Sequence, residues 1–172
     1  MNKLSKINNN IKKLNLKKLK LKERIIRITR VSKVTKGGKR INFQAVIALG
    51  NEKGKIGIGI AKAKDTRDAI EKAKTNGYKT IINFPVTKSL SINHSIIGEY
   101  KSSKILVKPA KPGSGILAGG SARIILEVAG IKNVVAKQFG SNNRLNNAYA
   151  LFNALKDSIK KLRIDKLRRL NN

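Results

Sequence analysis

Gly37 and Gly38 sit between two runs rich in β-branched residues, Arg24-Ile25-Ile26-Arg27-Ile28-Thr29-Arg30-Val31 and Ile41-Asn42-Phe43-Gln44-Ala45-Val46-Ile47. Runs of this composition favour extended strands. Glycine accepts the positive φ that a tight hairpin requires and, lacking a Cβ, lets a second backbone come close. The stretch therefore reads as a β-hairpin whose tip carries Lys36, Lys39 and Arg40. Cations gathered around glycines suit a polyanion as the close partner.

The rest of the chain leans the same way. Its 172 residues contain 39 Lys plus Arg against 9 Asp plus Glu, a formal net charge of +30. A folded chain with that imbalance repels itself unless counter-charge is supplied, which points to nucleic acid first and an anionic membrane surface second. Hydrophobic residues make up 40%, enough for a core, so a wholly disordered basic tail is not expected. The absence of Cys and the presence of a single histidine, His94, exclude disulfide frameworks, thiolate zinc sites and Cys nucleophiles. No metal and no cofactor is expected. No apolar run is long enough to span a bilayer, so no membrane partner is expected either. Met1 to Arg24 lacks the compact apolar segment and small-residue site of a secretory signal. Heavy use of Lys, Asn and Ile suits an AT-rich genome, that of a plastid or a low-GC bacterium.

Four segments follow from the pattern: a basic extension over 1–22, a first domain over 23–86, a second over 87–164 and a basic tail over 165–172. The first domain reads as strands near 24–35 and 40–49, a turn at Gly50 to Gly54, and a strand at Lys55 to Ala61. A helix follows, capped by Asp65 or Thr66, with Asp68 in its first turn, an apolar stripe of Ala69, Ile70 and Ala73, and Gly77 as its stop. Thr80 to Val86, interrupted by Pro85, reads as an edge strand or as the passage between units. In the second domain a strand at Ser103 to Lys108 enters a loop with Pro109 and Pro112. A helix from about Leu117 to Ala129 ends at Gly130, a strand covers Asn133 to Phe139, and a last helix begins after Ser141-Asn142-Asn143. On that helix Leu145, Ala148, Phe152, Leu155, Ile159 and Leu162 share one face.

Other chemistries find little material. Gly113-Ser114-Gly115-Ile116-Leu117-Ala118 matches G-x-G-x-x-A, but two prolines separate it from the preceding strand and no acidic residue stands where a ribose would be held. Gly115 to Gly120 has P-loop spacing, yet Ser121 stands where the phosphate-binding Lys belongs. Gly119-Gly120 reads better as a helix start that packs closely on a neighbour or points amides at a phosphate. Asp65, Asp68 and Glu71 read as a cap and a solvated face pairing with Lys72 and Lys74, and His94 has no partner suggesting a base. Glu127, in an otherwise apolar helix, reads as buried against a cation. An enzyme is not expected. With aromatics at 4%, base stacking is disfavoured, and recognition is expected to run through phosphates, sugar edges and shape. Arg27, Arg30 and Lys33, with Lys62 and Lys64, are expected to form one basic face.

Several motifs together resemble one family. Arg30-Val31-Ser32-Lys33 with Lys36-Gly37-Gly38, then Gly57-x-Gly59-x-Ala61-Lys62-Ala63, then Gly113-Ser114-Gly115-Ile116-Leu117-Ala118-Gly119-Gly120, Leu126-Glu127-Val128-Ala129-Gly130-Ile131 and Asn133-Val134-Val135-Ala136-Lys137 closely resemble the fifth protein of the small ribosomal subunit, bacterial or organellar type. The match runs in register over residues 23–160.

The resemblance implies a two-domain α+β protein: a double-stranded-RNA-binding-like β-β-β-α domain, then a small α/β sandwich of the type named after this ribosomal protein. It implies a non-enzymatic constituent of the small subunit that binds ribosomal RNA, with a hairpin loop, here Val34 to Arg40, that reaches RNA near the head-body junction, where changes alter spectinomycin sensitivity. RNA-binding residues would be Arg27, Arg30, Ser32, Lys33, Lys36, Gly37, Gly38, Lys39, Arg40, Lys62, Lys64, Lys137, Ser141, Asn142, Asn143 and Arg144. Gly119, Gly120, Ser121 and Arg123 would meet the fourth small-subunit protein, where changes loosen decoding accuracy. The eighth protein would be another neighbour and the third would lie near, along the messenger RNA entry path. No homo-oligomer is implied, and the location would be the ribosome of a plastid stroma or of a bacterial cytoplasm. The main alternative is a free double-stranded-RNA-binding chaperone, with a nucleotide-dependent enzyme a distant third. In this chain Arg144 replaces the proline the family usually has at the helix start, and the extension before Lys22 has no aligned counterpart.

Overall fold

The structure, a computed structural model, describes residues 21–170. The basic extension expected over 1–22 lies outside them up to residue 20. Strands β1 (Lys22–Thr35), β2 (Gly38–Gly50) and β3 (Lys55–Ala63) form an antiparallel meander, followed by helix α1 (Thr66–Lys79) and a short edge strand β4 (Ile82–Asn83). Then come β5 (Ile96–Tyr100), β6 (Ser103–Pro109), β7 (Ile116–Leu117), α2 (Gly120–Ala129), β8 (Val134–Gly140) and α3 (Arg144–Leu170). The strands make two four-stranded sheets, ordered β1-β2-β3-β4 and β5-β6-β8-β7, antiparallel except for β7 beside β8. The fold is α+β.

β2 explains how the two sheets become one body. Ala45 to Gly50 are all buried, a continuous run that marks a strand covered on both faces. Side chains alternate, so Ala45, Ile47 and Leu49 point to α1 and pack with Ala69 and Ala73. Val46 and Ala48 point the other way, into a core that continues through Ile125 and Leu126 of α2 to Ile105 and Val107 of β6 and Leu151 and Leu155 of α3. The β2–β3 turn docks on the same helix: the Glu52 amide donates to the Val128 carbonyl at 3.1 Å and the Gly54 amide to Ala129 at 2.9 Å. These bonds satisfy carbonyls that the end of α2 would otherwise leave open.

Several expectations are corrected. Gly77 does not stop α1 but lies within it, buried, because the helix crosses β3 at its glycines: a Cβ on Gly59 would run into the Ala73 carbonyl oxygen. The end of α1 is closed instead by Thr80, whose hydroxyl donates to the Ile58 carbonyl at 2.7 Å and accepts from the Ile58 amide at 3.3 Å. α2 begins at Gly120 rather than Leu117, since Ile116 and Leu117 pair with Val134 and Val135 as a strand. That short apolar pair fits either period. Glu127 is exposed, not buried, and pairs with exposed Arg123 one turn away at 3.1 Å. Lys74 pairs with Glu23 of β1, not with the acidic residues of its own helix.

The sequence pattern predicts no strand at β5, because Gly98 weakens its signal. The glycine is needed where α3 crosses the sheet, for a Cβ there would run into the Ala150 carbonyl oxygen. The expected face of α3 holds at Ala148, Phe152 and Leu155, with Leu145 and Ile159 packed beside them, while Leu162 lies outside the residues whose side chains are described. Helix continues to Leu170, through most of the stretch expected as a basic tail. No helix among the described residues is long and apolar enough to cross a membrane.

Candidate nucleic-acid interface

β3 pairs with β2 only as far as Phe43 opposite Ala63, whereas β1 and β2 stay paired out to Thr35 opposite Gly38. The distal part of the hairpin thus leaves the sheet as a two-stranded arm, roughly 15–20 Å long at the usual rise per residue. It carries Arg30, Lys33, Lys36, Lys39 and Arg40 and no acidic residue. None of these five has an ion-pair partner among the described residues. Val34 at its end is 72% exposed.

Strand alternation sorts the cations. Beyond a register shift between Ile25 and Arg27, pairing is regular, with Lys33 opposite Arg40, Arg30 opposite Phe43 and Lys62 opposite Gln44. Arg27, Lys33, Arg40 and Lys62 therefore lie on the face that carries Val46. Arg30 lies on the α1 face, with Ser32 opposite Ile41 and Lys39 opposite Val34. The single basic face expected for Arg27, Arg30 and Lys33 is corrected to an arm with cations on both faces, because an odd separation reverses the side. Lys64 follows β3 directly and is exposed.

At the tip, Lys36 and Gly37 form the turn and Gly38 alone takes a positive φ, 122°. The Thr35 hydroxyl donates to the Gly38 carbonyl at 2.9 Å. A Cβ on either glycine would meet nothing within 4 Å, so the chain itself does not crowd the tip. Backbone at the end of the arm is open to a partner.

At the root of the arm lies a polar cleft of about 460 Å³ lined by Arg27, Gly120, Ser121, Gln138, Asn142, Arg144 and Asn147. It joins residues expected to bind RNA with residues expected to meet a protein. Local bonds explain how Arg144 is set there. Asn143 Oδ1 accepts from the Leu145 amide at 3.0 Å, capping α3, and Ser141 Oγ accepts from the Asn143 amide at 3.2 Å. Those two side chains hold the loop, and the guanidinium of Arg144 stands at a helix N-terminus, where a cation is disfavoured without an anion nearby. On the other side α2 starts without a side-chain cap. Gln138 lies over Gly119, where a Cβ would be 2.8 Å from its amide, while Gly120 faces open space. Ser121 is buried and accepts from Gln138 Nε2 at 3.3 Å.

Two expected residues lie apart from the cleft. Lys137 sits opposite Leu106 and alternates with buried Ala136, which puts it on the outer face of the second sheet, near exposed Phe139. Arg123 is occupied by Glu127. Gln138 and Asn147 carry no signal in the sequence, because neither is charged and only folding brings β8 and α3 together. The glycines at 113 and 115 do not precede a helix, since β7 intervenes before α2, and this removes the nucleotide-loop geometry. No group of three or more His, Cys, Asp or Glu able to hold a metal occurs among the described residues.

Comparison with known proteins agrees with this architecture. Residues 21–85 match the family described as ribosomal protein S5, N-terminal domain, and residues 98–168 match ribosomal protein S5, C-terminal domain. The small ribosomal subunit protein uS5c of Phaeodactylum tricornutum is 49% identical over 172 residues, covering 99% of this chain and 98% of that protein. The protein of the same name from Trieres chinensis is 52% identical over 157 residues, covering 91% and 85%. Small ribosomal subunit protein uS5 of Nostoc punctiforme is 52% identical over 133 residues, covering 77% and 76%. The chain belongs to the ribosomal protein S5 family, whose members are structural and not enzymatic.

Proposed function

We propose that this protein is a constituent of the small ribosomal subunit of a plastid or a bacterium and binds folded small-subunit ribosomal RNA through the β1–β2 arm and the cleft at its root. The observation that carries the reading is the arm itself: five cations, no acid and, among the described residues, no ion pair on a two-stranded projection with open backbone at its tip. Such an element is strained by its own charge until phosphates neutralise it. Arg27, Arg30, Ser32, Lys33, Lys36, Gly37, Gly38, Lys39 and Arg40 form the first contact surface, Lys62 and Lys64 extend it, and Asn142 and Arg144 add the cleft. Ser141 and Asn143 position that loop.

The tip restrains a mobile junction in the RNA, and exposed Arg123, beyond the turn at Gly119, Gly120 and Ser121, meets a neighbouring ribosomal protein. The fourth and eighth small-subunit proteins are the proposed neighbours, with the third near along the messenger entry path, and contact there tunes decoding accuracy. Plastid relatives with coverage near the full chain support a plastid ribosome, and cyanobacterial relatives leave the bacterial cytoplasm as the alternative. Sedimentation tests the reading. The tagged chain should travel with small subunits through a sucrose gradient at moderate salt, whereas recovery only with free duplex RNA would replace it with a chaperone role.

A further inference from the structure

The cleft at the root of the arm carries a second chemical signal besides its positive charge. α2 begins at Gly120 with no side-chain cap, so its first amides have no side-chain acceptor among the described residues, and Arg27 and Arg144 line the same space. Amide donors at a helix start with two guanidinium groups form a complement to an anion. The independent observation is Asn147, which lines the cleft and is 1% exposed. Its Nδ2 donates to Gln138 Oε1 at 3.3 Å, while its Oδ1 has no hydrogen-bond partner among the described residues. A buried acceptor left unpaired is costly and calls for a donor.

Those two demands narrow the ligand. A phosphodiester without its sugar hydroxyl, or an ionised carboxylate, brings acceptors only and leaves Asn147 Oδ1 unpaired. A DNA backbone likewise brings no hydroxyl donor at the sugar. A ribose carries a 2′-hydroxyl that donates, next to a phosphate that accepts. We propose that this cleft binds one ribose-phosphate step of an RNA strand. The phosphate is held by Arg27, Arg144 and the first amides of α2, and the 2′-hydroxyl donates to Asn147 Oδ1. Because that oxygen is closed to solvent, the side chains around it must shift to admit the sugar, and Gln138 is weakly held, its bonds to Asn147 and to Ser121 both being 3.3 Å. The inference rests on the proposed RNA-binding role and deepens it by naming the unit that is read.

The test uses the full-length chain, isotopically labelled and titrated at about 0.15 M salt with a ribo-tetranucleotide of uridine, its 2′-deoxy counterpart and a tetra-aspartate peptide. With the ribo-oligomer, the Gly120 and Ser121 backbone amides and the Gln138 and Asn147 side-chain amides should shift together and saturate. The deoxy form should bind the same set roughly fivefold more weakly, as expected for removal of one hydrogen bond. Arg144→Ala, at an exposed position, should weaken the ribo-oligomer while leaving the rest of the spectrum folded. Equal affinity for both oligomers would overturn the 2′-hydroxyl contact. A cleft silent to RNA, an unchanged Arg144→Ala titration, or a stronger response to tetra-aspartate would overturn the site, the last assigning it to a protein partner. Sedimentation with subunits is read separately, so a silent cleft in a chain that still travels with the subunit fails this inference alone.

Discussion

Lys33 and Arg40 stand directly opposite each other across β1 and β2, like charges in register on the same face of the arm. Like charges directly opposite on paired strands destabilise the pairing, and no acidic residue on the arm offsets them. The repulsion is tolerable where an external polyanion supplies the missing charge. The isolated hairpin is thus weakened by the feature that fits it to RNA.

Lys33→Glu should therefore act with opposite signs on folding and binding. Replacing repulsion by a cross-strand ion pair should stabilise the free protein by about 0.2–1 kcal/mol in thermal or urea unfolding. RNA affinity should fall, and the slope of log affinity against log salt should shrink by about 0.7–0.9, the increment for one phosphate that the variant no longer neutralises. A variant that gains stability without losing affinity would place Lys33 outside the interface.

The tip should be asymmetric. Gly38→Val forces a β-branched side chain to a φ of 122°, which should cost about 1–3 kcal/mol in arm stability and reduce RNA protection near the loop. Gly37→Ala meets open space with no positive φ and should leave the free protein within about 0.5 kcal/mol of the original. Urea unfolding of both variants checks the contrast.

Gly59→Ala should destabilise the chain by about 2 kcal/mol or more, since its Cβ would collide with the Ala73 carbonyl oxygen, which rigid helix backbone cannot easily withdraw. The loss should appear in the unfolding midpoint and not in the salt slope of RNA binding, which separates packing from RNA recognition.

Alkaline pH offers a check on the second domain. Burial raises the Tyr149 phenol above its ordinary 10.0, with a smaller contribution from Tyr100, whose ring centroid lies 4.9 Å away. A hydrogen bond to Glu23 raises Lys74 above 10.5. Both folded-state values are raised, so the folded chain holds these protons longer than the unfolded chain. Their contribution is complete below the unfolded values and is lost as pH rises through the folded ones. Stability should be level with respect to these groups below about pH 9 and fall above pH 10, and Tyr149→Phe should lessen that fall in pH-dependent melting curves.

Much of this architecture was legible in the residues because local and global signals agree. The hairpin around Gly37 and Gly38, the third strand and the helix start after Asn143 follow from period, turn chemistry and capping, and they stand where those signals put them. What escaped depends on crossings. Gly77 reads as a helix stop until β3 is seen beneath it, and Gly98 breaks a strand signal at the point where α3 passes over the sheet. The site divides in the same way. Its cations are visible in composition, but their sorting between faces needs the register, and Asn147 matters only because β8 and α3 place its amide beside an uncapped helix.

The most direct test of the account is the identity of the RNA touched by the arm. Ultraviolet crosslinking of the intact chain in its own cells, followed by sequencing of the RNA attached to the Val34 to Phe43 peptide, reads that identity without a substitution. The account predicts small-subunit ribosomal RNA at a single region, with attachment declining as salt rises. Attachment of that peptide only to free duplex RNA, or to no RNA in chains that sediment with the subunit, would contradict it.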